Sequence, residues 1–140
     1  MKILLPVDGS DYTKRMLSYI AVHDELLGPD HQYTMMTVAS YIPARAATFM
    51  TRGTIDEYYR DEAEDVLRPV RKYAEQHGWA IREVHVNGHA AEEIAKFAEA
   101  EKFDLVVMGS HGHSSLANMV LGSVATGVLA RCTVPVLLIR

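Results

Sequence analysis

The chain has 140 residues, of which 49% are hydrophobic and 23% are charged, and this composition predicts one globular domain over residues 1–140 rather than a disordered chain. Its formal net charge of −4 argues against nucleic-acid-binding proteins, which usually carry a basic excess, and against electrostatic attachment to an anionic membrane. A single cysteine cannot form an internal disulfide, and no apolar stretch approaches the ~20 residues of a membrane span, so we expect a cytoplasmic protein.

The first third of the chain predicts a strand, a helix and a second strand. The apolar run at 3–7 is typical of a strand buried on both faces. Ser10 is then placed to cap a helix whose apolar residues recur at helical spacing until Gly28 ends it. The second strand is expected at 33–39.

The middle of the chain combines an irregular segment with a long helix. Residues 41–53 mix turn residues with apolar side chains, which favours a loop packed on its own domain; a lid over a ligand or a subunit contact is the alternative. Thr54 and Glu57 form a capping-box pair that predicts the start of a helix reaching Gly78. Pro69 should kink this helix.

The second half of the chain continues the alternation of strands and helices. Apolar runs predict strands at 80–86, at 104–109 and from Val134 to Ile139. A helix with a stripe of small apolar residues follows the turn at 87–89, and another helix spans 123–131.

Five strands that alternate with four helices predict an α/β fold. The expected architecture is a single doubly wound, mostly parallel sheet with helices on both faces, an open sheet of the flavodoxin-like kind. Ligands in such sheets bind beyond the carboxyl ends of the strands, where the winding direction reverses. Functional residues are therefore expected at 6–10, 38–40 and 86–90, and from Met108 onwards.

The segment after the fourth strand carries the pattern Gly109-x2-Gly112-x9-Gly122-Ser123. Glycines lack a Cβ atom, so a ligand can approach the backbone closely and φ can be positive. Gly122 and Ser123 are expected to open a helix, where free N–H groups and the positive end of the helix dipole can hold a phosphate without a lysine. The residues alone leave open whether this is a phosphate site or only a helix cap and a turn.

The sequence contains neither common nucleotide fingerprint, since Asp8-Gly9-Ser10 follows the first strand instead of G-x-G-x-x-G and no G-x-x-x-x-G-K-[ST] occurs. The G-x2-G-x9-G-S spacing after a V-V-M strand instead resembles the ATP-binding signature of the universal stress protein family. The opening residues 3–10, the Asn-Gly turn at 87–88, and the blocks 121–125 and 132–139 resemble the same family in the same order.

The resemblance implies an adenine nucleotide in the crevice between the first and fourth strands. Asp8 would face the ribose or a phosphate-bound Mg²⁺, since two anionic groups tolerate each other only with a cation between them; a turn aspartate that binds its own backbone is the alternative. Val38 would offer its backbone to the adenine. The residues implied to contact the nucleotide are Pro6, Val7, Asp8, Val38, Met108, Gly109, His111, Gly112, His113, Gly122, Ser123, Val124 and Ala125.

His113 departs from the family pattern, in which many members carry Arg or Lys just after the second glycine. No Lys or Arg occurs from Asp104 to Ala130, so phosphate recognition must depend on backbone N–H groups, hydroxyls, a metal, and His111 or His113 when protonated. We therefore expect weaker triphosphate binding that tightens as the pH falls toward about 6.

Other candidate groups carry weaker signals. A metal site at His111 and His113 lacks a third ligand nearby in the sequence, so exposed loop histidines are the favoured interpretation. Ser114 and Ser115 could accept a phosphoryl group but are also typical turn residues. Cys132 has no neighbouring base and is interpreted as a small buried hydrophobe.

The last strand raises the question of a partner. If the strand from Val134 to Ile139 lies at an edge of the sheet, it presents unpaired backbone groups that proteins usually protect. Pairing with the same strand of a second copy around a two-fold axis would protect it, and the resemblance implies the same homodimer.

Three functions remain open on the sequence. The favoured one is an ATP-binding protein that uses Mg²⁺ and acts in the stress response as a nucleotide-dependent sensor or regulator of an unknown protein partner. No general base or catalytic cation is evident near the phosphate loop, which argues against rapid turnover. The alternatives are a slow ATP hydrolase or nucleotidyl-transferring enzyme in the same crevice, and a dimeric interaction module without nucleotide; the bound nucleotide could equally be ADP or AMP.

Overall fold

The computed structural model describes residues 1–114 and 118–140, which form a five-stranded parallel sheet between two layers of helices. The strands are β1 (Lys2–Pro6), β2 (Gln32–Ala39), β3 (Ile81–Asn87), β4 (Leu105–Gly109) and β5 (Val136–Ile139). The helices of the described residues are α1 (Asp11–Val22), α2 (Asp24–Leu27), α3 (Ala44–Ala47), α4 (Arg52–Gln76), α5 (Ala90–Ala100) and α6 (Ser123–Arg131).

The strand order is β3-β2-β1-β4-β5, and every neighbouring pair is parallel. The chain winds outward from β1 to β2 and β3, and then crosses back through α5 to β4 and β5. The winding direction therefore reverses between β1 and β4, as the doubly wound fold predicted from the sequence requires. β5 pairs only with β4 and lies at one edge.

Each face of the sheet has its own buried core. Ile3 and Leu5 of β1 point toward α1 and α4, whereas Leu4 between them points toward α5 and α6. All three side chains are fully buried. The alternation of strand residues between the two faces explains why β1 reads as a continuous apolar run.

The turn from β1 to α1 differs from the prediction that Ser10 caps the helix. Ser10 occupies the N-cap position, but its side chain forms no capping hydrogen bond, and its buried Oγ has no partner in the described part of the chain. Its backbone N–H instead donates to Asp8 Oδ1 at 2.9 Å. Asp8 therefore orders the turn, and the predicted single helix ends at Val22, before the separate short helix α2.

The predicted start of the long helix is wrong. Thr51, not Thr54, is the N-cap of α4, because Thr51 Oγ1 accepts a hydrogen bond from the Thr54 N–H at 3.2 Å. Gly53 marked a helix boundary in the sequence, yet it lies in the exposed first turn, where a helical glycine costs only about 1 kcal/mol. The expected irregular segment also contains the short helix α3.

α4 is much longer than the part of it that packs on the sheet. Its 25 residues continue through Pro69, and buried residues begin only at Ala63. The first ten residues, 52–61, therefore project beyond the carboxyl edge of the sheet. This overhang shapes the larger of the two cavities described below.

The last strand is shorter than predicted. It begins at Val136 rather than Val134, because Pro135 lacks an N–H group and contributes only its carbonyl, which accepts a hydrogen bond from the Val106 N–H at 2.9 Å. β3 and β4 likewise begin one residue later than expected, at Ile81 and Leu105.

Candidate functional site

A cavity of about 370 Å³, called here the β1–β4 cavity, opens at the carboxyl ends of β1 and β4. It lies where the winding of the sheet reverses, the usual ligand position in such folds. All the residues predicted for nucleotide contact line it, namely Pro6, Val7, Asp8, Val38, Met108, Gly109, His111, Gly112, His113, Gly122, Ser123, Val124 and Ala125. Their contact with a nucleotide stays a prediction.

The inner wall of this cavity is apolar. Val7, Met36, Met108 and Ile94 line it and are buried. Such a wall can accept the face of an aromatic ring, because an apolar surface and a ring both gain from leaving water.

Sequence reasoning missed three lining residues, Thr13, Met36 and Ile94, which lie outside every segment expected to bear functional residues. Ser40, Ala90 and Ser114 lie inside those segments but were not named as nucleotide contacts. Helical spacing already placed Ile94 on the apolar stripe of α5. Helical spacing identifies the stripe but not which of its residues lies near the carboxyl ends of the strands. That position depends on how α5 packs on the sheet.

The polar end of the cavity is the start of α6. The Gly122 N–H donates to the Ser110 carbonyl at 2.7 Å. The N–H groups of Ser123, Val124 and Ala125 have no acceptor within residues 1–114 and 118–140. Three backbone donors and the positive end of the helix dipole therefore meet at the cavity, and together they favour an anion.

Two of the glycines allow close packing of the loop after β4. A Cβ atom added at Gly109 would lie 2.6 Å from Tyr12 Cβ. One added at Gly122 would lie 3.0 Å from His111 Cα and 3.1 Å from the Ser110 carbonyl oxygen. The positive φ that a glycine allows is not used in this loop, since the described glycines with positive φ are Gly9, Gly78 and Gly88. Here it is the missing side chain that matters, because Tyr12 fills the space beside Gly109 and the backbone of Ser110 and His111 fills the space beside Gly122.

Asp8 has the turn role considered for it, and its contact with a ligand stays a prediction. Its Oδ1 accepts hydrogen bonds from the Ser10 N–H at 2.9 Å and the Thr13 hydroxyl at 3.0 Å, so it orders the turn. Its Oδ2 has no hydrogen-bond partner in the described chain and lies 2.7 Å from the place a Cβ on Gly112 would take. The turn therefore fixes one carboxylate oxygen and leaves the other at the cavity.

His111 uses both ring nitrogens within the protein. Its Nε2 donates to the Met119 carbonyl at 2.8 Å, and its Nδ1 lies 3.0 Å from Ser110 Oγ, which donates to it. The ring also packs 5.0 Å from the ring of Tyr12, centroid to centroid. His111 thus braces the loop after β4.

The sequence profile of the universal stress protein family matches residues 1–140. The chain belongs to the universal stress protein family. It is 32% identical to universal stress protein MJ0531 of Methanocaldococcus jannaschii, over an alignment that covers 99% of this chain and 81% of that protein.

Solved structures of other universal stress proteins share the fold. The structure of MJ0577 from the same organism is 27% identical, with a TM-score of 0.81, and the match covers 99% of this chain and 94% of that one. The universal stress protein from Archaeoglobus fulgidus in complex with dAMP is 22% identical, with a TM-score of 0.66, and the match covers 100% and 98% of the two chains. At that identity the likeness to the dAMP complex shows the fold.

In this universal stress protein, His113 donates from Nε2 to the Asp8 carbonyl at 2.6 Å and so ties the loop to the end of β1. The residues described as lining the cavity include no Lys or Arg. Arg15 lies outside the lining, with its guanidinium 4.9 Å from the centroid of the Tyr12 ring. Any anion in the cavity would therefore be held by groups other than Lys or Arg of the described lining, foremost the backbone donors of α6.

The site fits a Mg²⁺ ion that arrives with phosphates better than one held by the protein alone. The described residues contain no group of three or more His, Cys, Asp or Glu side chains able to hold a metal. Mg²⁺ usually takes one or two carboxylates together with phosphate oxygens and water. Asp8 Oδ2 offers one such ligand at the cavity.

Three further predictions concern the loop serines, Cys132 and a membrane span. Ser114 lines the β1–β4 cavity, while Ser115 lies outside the described residues. Cys132 is half-buried rather than buried, because it follows α6 at the edge of the core that α5 and α6 cover. Across residues 1–114 and 118–140, none of the helices has the length and apolarity needed to cross a membrane.

The segment 41–53 does not pack tightly on its own domain. Tyr41 and Phe49 are exposed, and Ile42 and Met50 are only half-buried. The segment borders a larger cavity at the carboxyl ends of β2 and β3, called here the β2–β3 cavity.

Proposed function

We propose that this universal stress protein binds an adenine nucleotide, foremost ATP with Mg²⁺, in the β1–β4 cavity of a single domain. It acts as a nucleotide-dependent sensor or regulator of the stress response in the cytoplasm. One observation carries the proposal: an apolar wall and the free backbone donors of the first turn of α6 meet in the same cavity. The wall suits a purine and the donors suit a phosphate.

The family supports the choice of an adenine nucleotide. A universal stress protein with the same fold holds dAMP. The cavity of this chain is lined by every residue that the family signature implies, from Pro6 to Ala125. The base would lie toward Val38 and Met108, and the phosphates toward Ser123.

The chain's own groups define how phosphates would be held. The N–H groups of Ser123, Val124 and Ala125 would donate to phosphate oxygens, and the Ser123 hydroxyl would add a fourth donor. Bound Mg²⁺ would neutralise phosphate charge. Asp8 Oδ2 would serve as its protein ligand.

Regulation suits this site better than turnover. Rapid phosphoryl transfer needs cationic groups that stabilise the charge of the transferred phosphoryl group. Among the described lining residues there is no Lys or Arg, and Asp8 is the carboxylate. A bound nucleotide would therefore persist and report its own availability through the loop after β4.

The first experiment identifies the ligand. Freshly purified protein is denatured, and the released nucleotide is identified by mass spectrometry. Calorimetry with ATP, ADP, AMP and adenosine, with and without Mg²⁺, then ranks affinity. We expect each nucleotide to bind more tightly than adenosine. Equal binding of adenosine and AMP, or no binding of either, would contradict the proposal, and steady release of ADP would favour the slow hydrolase.

A proline at Ser123 tests the backbone donors directly. Ser123 is the first residue of α6, where proline is tolerated, and Gly122 before it is already extended with ψ of 162°. The variant Ser123→Pro removes one N–H while leaving the helix. The variant loses one hydrogen bond to a charged group, so its affinity for AMP should fall by about tenfold or more. Its affinity for adenosine should not change. Ser123→Ala, which keeps the N–H and loses only the hydroxyl, is the matched control and should retain more affinity.

We also propose a homodimer through the last strand. β5 lies at an edge of the sheet, and its residues Val136, Leu137 and Leu138 are only half-buried in the single chain. Pairing with a second copy would cover them. Sedimentation velocity should show a dimer, and a monomer at all concentrations would contradict this part of the proposal.

A further inference from the structure

The β2–β3 cavity has a volume of about 860 Å³ and lies beside the β1–β4 cavity, with which it shares only part of its lining. Its floor is formed by the carboxyl ends of β2 and β3, one side by residues 41–50, and the other side by α4 from Tyr58 to Val66. The volume lies in the range of roughly 300–1,000 Å³ typical of small-molecule sites.

Most of its wall is apolar or aromatic. Ile42, Pro43, Met50 and Val66 supply aliphatic surface. The rings come from Tyr41, Tyr58 and Tyr59. Aromatic faces attract both apolar groups and organic cations, because the face of the ring carries the negative part of its quadrupole.

The overhang of α4 is held over the cavity by a specific contact. Tyr59 Oη accepts a hydrogen bond from the Ile42 N–H at 2.8 Å, which joins the helix to the segment opposite. Tyr58, one residue earlier, donates its hydroxyl to Glu62 Oε1 at 2.7 Å. These two bonds position an aromatic ring and a carboxylate side by side at the cavity mouth.

The charge of the lining has one sign. Three carboxylates line the cavity, from Asp8, Glu62 and Asp65, and the lining contains no Lys or Arg among the residues described. Over the same residues, none of these carboxylates forms an ion pair; the observed pairs use other acidic groups. His85 and His113 are the remaining titratable groups with a basic side chain in the lining. An anionic ligand would meet net repulsion here, whereas a cation would be attracted.

We propose that the β2–β3 cavity is a second small-molecule site, which binds an organic cation with an aromatic or apolar body, such as an aromatic amine. The body would contact the tyrosine rings and the aliphatic wall, and the ammonium group would lie near Glu62 and Asp65. A phosphate-bearing ligand is disfavoured by the same carboxylates.

The two cavities share one wall. Asp8, Val38, Ser40 and His113 line both of them. A cation in the β2–β3 cavity and an anion in the β1–β4 cavity would therefore act on the same residues, and each would change the affinity of the other by the same factor. The second site goes beyond the proposed function and does not need a nucleotide to exist.

The test uses three phenols that share a 4-hydroxyphenylethyl body and differ in the charge of the terminal group, titrated into protein freed of nucleotide by extensive dialysis. Tyramine carries the cation, 4-propylphenol is its neutral analogue, and 3-(4-hydroxyphenyl)propionate is the anion. Calorimetry should rank affinity in that order, and added salt should weaken tyramine alone. Amide NMR signals of Ile42, Tyr59 and Asp65 should shift. Equal affinity of the three compounds, a preference for the anion, or shifts confined to other regions would overturn the proposal.

Two double variants test whether the carboxylates that line the cavity, rather than the net charge of the protein, attract the cation. Glu62→Gln with Asp65→Asn should weaken tyramine about tenfold and leave 4-propylphenol unchanged, since two carboxylate contacts at an exposed site are lost. Asp56→Asn with Asp61→Asn removes the same charge from the same helix, outside the lining, and should leave both affinities unchanged. An equal loss in both pairs would overturn the proposal. Because the compounds are first compared on the unmodified protein without nucleotide, failure here is distinct from failure of AMP binding.

Discussion

The two cavities lie on the same edge of one sheet and are built in opposite ways. The β1–β4 cavity is bordered by the turn after β1 and by residues after β4, where Gly109 and Gly122 allow neighbouring groups to approach closely. The β2–β3 cavity is enclosed by the exposed start of α4 and by a segment whose side chains are mostly exposed. The first site is specified by the backbone and the second by side chains, so substitutions should affect the two in different ways.

This difference has a physical cause. A phosphate needs donors fixed in space, and backbone N–H groups at the start of a helix are already fixed when the ligand arrives. Side-chain carboxylates on the exposed part of a helix keep rotational freedom and face water, so they select charge more than shape. We therefore expect the β1–β4 cavity to be the more sensitive to small steric changes.

The largest expected effect is at Gly109. In Gly109→Ala the new methyl group would lie 2.6 Å from Tyr12 Cβ and 3.3 Å from the His111 carbonyl oxygen, and neither neighbour can rotate away. Overpacking of this kind typically lowers the free energy of unfolding by about 1–3 kcal/mol. Urea denaturation measures this change in the free energy of unfolding, provided that the variant and the parent protein have the same m-value.

The matched control lies beside the other cavity. Gly53 is in the exposed first turn of α4, and a Cβ added there meets nothing within 4 Å. Gly53→Ala should leave the free energy of unfolding unchanged or raise it by up to about 1 kcal/mol. If Gly53→Ala and Gly109→Ala destabilise equally, the contrast between the two regions is wrong.

A substitution at Gly112 should weaken ligand binding with little change in the free energy of unfolding. In Gly112→Ala the added methyl would lie 2.7 Å from Asp8 Oδ2, which is the end of a side chain and can move. The fold should therefore tolerate the change, with a loss of stability below about 1 kcal/mol. The displaced carboxylate should lose its position at the cavity, so the Mg²⁺-dependent part of ATP affinity should fall. Calorimetry with and without Mg²⁺ measures this, and an unchanged Mg²⁺ effect would remove Asp8 from the site.

Much of the fold and of the first site could be predicted from the sequence because their signals are local. Continuous apolar runs identified the strands, and the glycine spacing identified the loop after β4. The residues that sequence reasoning missed, such as Met36 and Ile94, lie on stripes whose position relative to the ligand edge depends on how whole elements pack. The start of α4 was misplaced because Gly53 resembles a boundary, while the cap at Thr51 depends on one side-chain hydrogen bond.

The β2–β3 cavity could not be predicted for a related reason. Its carboxylates come from the turn after β1 and from α4, far apart in the chain, and its space exists because α4 continues past the sheet. No local pattern records how far a helix extends beyond its neighbours. A cavity under such an overhang follows from the relative placement of elements.

The smallest expected effect concerns the ion pairs that hold α4 to β3 beyond the cavity. Arg71 donates to Glu64 Oε1 at 2.9 Å and to Glu83 Oε2 at 2.7 Å. The hydrogen bond from Arg71 lowers the pKa of Glu64 below its ordinary value of 4.5.

A carboxyl whose pKa is lowered in the folded state stabilises the protein at pH values above its ordinary pKa. This contribution disappears as the pH falls through the lowered pKa. Arg71→Met should therefore lower the urea midpoint slightly at about pH 7, and this difference should shrink as the pH falls below 4.5 through the lowered pKa of Glu64. Arg60→Met, on the same helix and without an ion pair in the described chain, is the control. A difference between Arg71→Met and the parent protein that persists in acid would show that Arg71 acts by packing its side chain rather than by its charge.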